Sequence, residues 1–139
     1  LITGAGGAFG TILKETQKGD TLGNILAGYE LGIFLPFIIA AAFKTAQGSS
    51  TVALVATSAL IAPLLSTIGL DSLNGKVLAV MATGAGAMTI SHANDSFFWV
   101  VTQFSGMDVK TGYKTQTLAT LIQGVSSMVL IYVLTLIFL

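Results

Sequence analysis

Residues 25–43 and 51–70 form two long apolar runs, the first carrying a single charge, Glu30, and the second none. Runs of that length and purity predict membrane helices. Where they meet stands Lys44, followed by Ala46-Gln47-Gly48-Ser49-Ser50-Thr51, a cluster of small hydrogen-bonding residues. Polar, glycine-containing backbone is tolerated at membrane depth only where protein buries it or where it lines a water-filled cavity. Secondary transporters hold solutes and ions at broken helices of this kind.

The rest of the composition narrows the class. The chain is 53% hydrophobic and 9% charged, with a mean hydropathy of +0.86, outside the range of an ordinary soluble domain. Its six cations, all lysines, are matched by six acids, so no net field points to nucleic acid as a partner. The absence of cysteine excludes disulfides, thiolate metal sites and cysteine nucleophiles. With one histidine, His92, a multi-histidine metal site within this chain is excluded as well. No nucleophile-plus-base set and no carboxylate pair stands out, so neither an enzyme nor a cofactor is expected. The sequence starts at Leu1 with an uncharged apolar stretch that lacks the basic flank of a signal peptide. It reads as a helix entered partway along, in the C-terminal part of a longer protein.

Along the chain, the expected organisation is all-α: polytopic transmembrane helices with a re-entrant helical hairpin and a broken helix. Residues 1–17 are a helix end, in which Gly6 and Gly10 permit close helix contact. Residues 24–70 are the hairpin, with its tip at 44–51. Residues 76–105 are a helix broken at 91–96, and residues 114–139 are a terminal helix long enough to span with some tilt. At about 1.5 Å per residue, each flank of the first break crosses all or most of a ~30 Å core. Hydropathy alone therefore does not separate a re-entrant hairpin from two spanning helices. The hairpin is expected because the break holds one lysine and five small or amide residues, too little for a solvent loop. Lysine counts in the polar connections do not fix orientation.

Each break admits two readings. At residues 44–51, the start of the second arm near Ser49, Ser50 and Thr51 offers free amides and partial positive charge to an anionic solute, and Lys44 adds a full charge. The plainer reading is a solvated turn with Lys44 snorkelling. The first is preferred because intramembrane ionisable residues default to functional sites. At residues 91–96, His92 and Asp95 are titratable and about one turn apart, with Asn94 between them. Either side chain is a candidate proton carrier, beside Ser91 and Asn94 as solute contacts. The plainer reading there is an interfacial helix end capped by Asn94 or Asp95. Glu30 serves a structural pair at least as well as a proton path. The glycine-rich start fails as a dinucleotide loop, because the third glycine of the fingerprint falls at Phe9.

Together, AFKTAQGSSTVALVATSALIAP (residues 42–63) and ISHANDSFFWVVTQFSGMDVKTGYKTQT (residues 90–117) resemble the C-terminal part of the gluconate permease family, within the wider ion-transporter superfamily. GAGGAFGTIL (residues 4–13) fits the same family's helix before the hairpin. The resemblance implies a secondary active, proton-coupled symporter for gluconate or a related sugar acid, in a bacterial inner membrane. It also implies two inverted repeats, of which this chain is most of the second, the N-terminal repeat being its missing partner. By position, Gln47, Gly48, Ser49, Ser50 and Thr51 would be the tip and Ser91, His92, Asn94 and Asp95 the break. Sodium-coupled relatives carry a Ser-Asn-Thr tip where this chain reads Ser49-Ser50-Thr51, a departure that suits protons. The expected partners are an organic anion, a proton and the lipid bilayer, with a homo-oligomer left open. Rival readings are a symporter for another hydroxy acid or for an amino acid such as serine, and a non-transporting helical membrane subunit.

Overall fold

A computed structural model describes residues 31–139 of the chain. The expected helix end at residues 1–17, the Gly6 and Gly10 pair and Glu30 lie outside the described residues. Every regular element among the described residues is helical, so the fold class is all-α.

Helix α1, Phe34–Gln47, follows a turn at Gly32, whose φ of 46° leaves the helical region before the helix starts. Pro36 falls in its first turn, where a missing N–H has no helical partner to lose. Helix α2, Ser50–Ile61, tightens into a 3-10 turn at Ala62–Leu64, where Pro63 removes a backbone donor. Both helices are thus shorter than the apolar runs that contain them. Helix α3, Leu73–Met88, is capped by the Ser72 hydroxyl, which accepts from the Gly75 amide at 3.0 Å. Helix α4, Ser96–Phe104, is a short aromatic segment. Helix α5, Val109–Phe138, is long and apolar enough to cross a membrane, whereas α1 and Ser50–Leu64 are shorter apolar helices. Its first turn is capped by Asp108, which accepts from Thr111 N at 3.0 Å, and a wide π-helical turn occupies Tyr113–Thr117.

Helix α3 is the centre of the assembly and packs against α1, α2 and α5. Its sequence explains why: Ala79, Ala82, Thr83, Ala85, Gly86 and Ala87 are all buried, and small side chains let neighbouring backbones come close. In lipid this close packing, rather than release of water, is what draws helices together. The approach is tightest at Gly86, where a Cβ would collide with the Phe37 carbonyl and lie 2.9 Å from the Ala40 methyl. Larger apolar residues, Ile33, Leu70, Leu78, Met128 and Ile131, fill the space beyond that contact. The outer face of α5 leaves Val125, Val129, Leu130, Val133 and Leu136 exposed, an apolar surface suited to lipid or a neighbouring helix.

Gly86→Val should therefore part α1 from α3 and lower stability by about 1–3 kcal/mol, the usual cost of overpacking. Gly84→Ala, two residues away on the opposite face with open space at its Cβ, should be tolerated. Thermal unfolding of the two variants in the detergent-solubilised full-length protein compares them directly.

Candidate functional site

The two polar breaks meet. Helix α1 ends at Gly48, whose φ of 82° is the left-handed conformation of a helix C-cap, and its amide bonds back to the Lys44 carbonyl at 2.8 Å. Ser49 then caps α2, its hydroxyl accepting from Val52 N at 3.3 Å. The chain reverses over two residues, because a left-handed glycine followed by an extended serine ends one helix and starts the next. The tip lies directly on the second break. A Cβ at Gly48 would run into the Asn94 backbone carbonyl, so glycine is required there by contact as well as by φ.

Lys44 is only 2% exposed and spans the junction. Its Nζ donates to Asp95 Oδ2 at 2.6 Å and to the Gly48 carbonyl at 2.8 Å. Asp95, also buried, accepts at the same oxygen from the Ser91 hydroxyl at 2.5 Å, and its Oδ1 accepts from Phe97 N at 3.0 Å. One carboxylate therefore caps α4, anchors Ser91 and neutralises a lysine that leans in from the hairpin. The sequence assigned Lys44 to the solute. In this structure it is Asp95 that it holds.

His92 and Asn94 perform a different task. His92 Nε2 lies 3.1 Å from the Thr45 carbonyl, which requires the proton on that nitrogen, and Asn94 Nδ2 donates to the same carbonyl at 2.7 Å. A carbonyl at the end of α1, with no partner within its own helix, is thus satisfied by the other break. Gln47 is exposed and donates to the Ser49 carbonyl at 2.8 Å, Ser50 is half-buried, and Thr51 is exposed beside it.

The second break is clamped from α5. Thr120 Oγ1 accepts from Ser91 N at 3.0 Å, and Thr117 Oγ1 donates to the Ser91 carbonyl at 2.6 Å. Next to Ser91, Ile90 has a φ of 54°, a left-handed conformation that costs a β-branched residue about 1–3 kcal/mol. The double clamp on Ser91 holds the backbone in that state. Thr117 reaches it from the π-helical turn of α5, a distortion often found at functional sites.

Beside the ion pair lies a cavity of about 460 Å³. Lys44, Ser50, Ser91 and Asp95 face it, together with Gln116, Thr120 and Gln123 from α5. Of the residues singled out in the sequence, those four line the cavity, while Gln47, Gly48, Ser49, Thr51, His92 and Asn94 build the junction around it. The three α5 residues were missed. Their spacing of i, i+4 and i+7 is a polar stripe at helical period, readable inside an apolar run but carrying no charge to draw attention. Met88, Phe97 and Ala119 complete the wall. No cluster of metal-ligating side chains occurs among the described residues.

Comparison with known proteins decides the family. The sequence matches the family described as GntP family permease over residues 1–137. The chain belongs to that family. It is the same family that the two polar segments resemble, a family of permeases rather than of enzymes, and its members are integral membrane proteins. The permease chain is 42% identical over 126 residues to the inner membrane permease YgbN of Escherichia coli (strain K12), covering 89% of this chain and 27% of that protein. It is 36% identical over 138 residues to a gluconate permease of Pseudomonas aeruginosa, covering 99% of this chain and 30% of the relative. With the D-serine transporter DsdX of Escherichia coli (strain K12) the identity is 37% over 126 residues, covering 90% and 28%. The chain thus spans less than a third of the length of these curated relatives. No solved structure matches it.

In the full-length permease, Lys44→Met and Asp95→Asn should each lower the unfolding free energy by about 3–5 kcal/mol, because each leaves a buried partner uncompensated. The double variant should be more stable than the sum of the two losses implies, since it leaves no lone charge. Denaturant unfolding of the four proteins measures that coupling, and strict additivity would dissolve the pair as an energetic unit.

Proposed function

We propose that this chain is the C-terminal repeat of a proton-coupled symporter that takes up gluconate or a related sugar acid across a bacterial inner membrane. The observation that carries the proposal is the buried Lys44–Asp95 ion pair joining two helix breaks at the edge of a cavity. The family and the names of its relatives support the substrate class, and the missing N-terminal repeat would supply the rest of the site.

The ion pair suggests how a proton and an anion load together. In the empty site Lys44 is balanced by Asp95. An arriving solute carboxylate displaces Asp95 from Lys44, and a proton neutralises the carboxyl group that has been released. The buried charge is the same before and after, one cation and one anion, so neither step leaves a lone charge in a poorly solvated site. Anion without proton would strand a negative charge, and proton without anion would strand a positive one. That penalty is what couples the two. The hydroxyls of Ser50 and Ser91 are placed to contact the polyol chain.

Helix lengths support a re-entrant hairpin. At 1.5 Å per residue, α1 and α2 reach about 21 and 18 Å, each short of a ~30 Å hydrocarbon core. Their junction then lies at depth, where Gly48 and Ser49 are sheltered by the second break, as irregular backbone in a membrane requires. A symporter for a small amino acid is the second reading, favoured by the similarity to a D-serine transporter, and it uses the same carboxylate exchange. A helical subunit without transport is the third, in which the junction is purely structural.

The test is labelled gluconate uptake by the full-length permease in proteoliposomes, across pH and with a protonophore. Accumulation should collapse with the proton gradient. Asp95→Asn should abolish uphill accumulation while exchange of labelled for unlabelled solute persists, because Lys44 still offers its charge. Wild-type, pH-dependent accumulation in that variant removes Asp95 as the proton carrier. Unchanged uptake after alanine replacement of Ser50, Asn94 and Asp95 together favours the structural subunit.

A further inference from the structure

We infer that Gln123 on α5 is a specificity-determining residue that reads the far end of the solute and so selects for chain length. This deepens the proposed function and rests on it.

The cavity beside the ion pair has a charged end and a neutral end. At the charged end, Ser91 and Asp95 meet Lys44, and the α5 residues nearest them are those around Thr117 and Thr120, which clamp Ser91. Gln123 lies at the other end. It also lines a second cavity of about 320 Å³ with Met81, Gly84 and Ala85, residues about one to two turns before the end of α3 at Met88. Met88 and Gln123 are common to both cavities and mark the border between them. Thr117 and Gln123 stand about 9 Å apart along the helix axis, six residues at 1.5 Å each.

The chemistry of Gln123 fits a ligand better than a lipid. Its neighbours Leu121, Ile122, Val125 and Val129 are exposed and apolar, and Gln123 is exposed among them at the mouth of the cavity. An amide inside a membrane-crossing helix is costly unless it faces a partner or a wet cavity. Among the described residues the Gln116 and Gln123 side-chain amides make no hydrogen bond, although the Gln116 carbonyl accepts from Thr120 Oγ1 at 3.1 Å. Each amide presents two donors and an acceptor, a match for hydroxyls that both donate and accept. A solute with its carboxylate on Lys44 then extends along the α5 stripe, past Thr120. A chain of several hydroxylated carbons approaches Gln123, whereas a three-carbon acid ends short of it.

The experiment uses the full-length permease in proteoliposomes, with gluconate, erythronate and glycerate as solutes of decreasing length. Apparent affinities come from labelled gluconate uptake and its inhibition by the shorter acids. In the wild type, affinity should rise with length. Gln123→Leu, close in volume but without polar atoms, should raise KM for gluconate about tenfold with kcat within twofold. It should leave glycerate inhibition unchanged, so that the gain with length flattens. Gln123→Asn, which keeps the amide, should recover part of that gain. A wild type without length dependence, or a Gln123→Leu variant that keeps it, overturns the inference while the transport reading stands. An amide serving only to bind a neighbouring helix would lower protein yield and thermal stability but leave the length dependence intact, which also overturns it. A wild type that transports and binds no hydroxy acid overturns both readings.

Discussion

The described part of the molecule is organised by the buried bond between Lys44 and Asp95. A lysine on the first arm of the hairpin and an aspartate at the start of a short aromatic helix are 51 positions apart in sequence and 2.6 Å apart in space. Neither charge is tolerable alone where it sits, so each fixes the position of the element that carries the other. Asp95 brings α4 to the junction by capping it, Lys44 brings the tip through its bond to the Gly48 carbonyl, and Ser91 brings the end of α3.

A second constraint acts with the first. Helices that end in a buried junction leave carbonyl and amide groups without partners. Here the end of one broken element completes the other: His92 and Asn94 take the Thr45 carbonyl, and Thr117 and Thr120 take both backbone groups of Ser91. The breaks are thus mutually dependent. Small residues allow it, since Gly48 permits the tip to touch the Asn94 carbonyl and Gly86 permits α1 to lie on α3.

Much of this was legible in the sequence, and what was not has a physical reason. The helical class followed from the length and purity of the apolar runs, and the polar stretch 44–51 marked the segment that holds the turn at Gly48 and Ser49. The interest of residues 91–96 followed from titratable groups flanked by apolar sequence. The partner of Lys44 was not legible, because contact between residues so distant in sequence depends on how α1 packs on α3. The arms came out shorter than their apolar runs because apolar residues continue through the turns at Gly32 and Pro63, where hydropathy does not change but the backbone does. The stripe of Gln116, Thr120 and Gln123 was hidden by the same averaging. Its neutral polar groups sit among enough leucine, isoleucine and valine that the run still reads as lipid-facing. The π-helical turn has no sequence signature of its own, and from it Thr117 bonds the Ser91 carbonyl.

That turn gives α5 an unusual tolerance of length at one place. A π turn accommodates one residue more than an α-helical turn, so the loss of a single residue from Tyr113–Thr117 would restore an unbroken ladder of i to i+4 bonds. Because the wide turn absorbs that residue, the segments before and after it would stay nearly in phase, whereas a deletion from a regular turn rotates them by about 100°, one residue's share of a 3.6-residue turn. Tyr113 could then stay against Phe98 while Thr120 stays on Ser91, and what goes is the wide turn from which Thr117 reaches the break. A one-codon deletion here would straighten the helix without turning it.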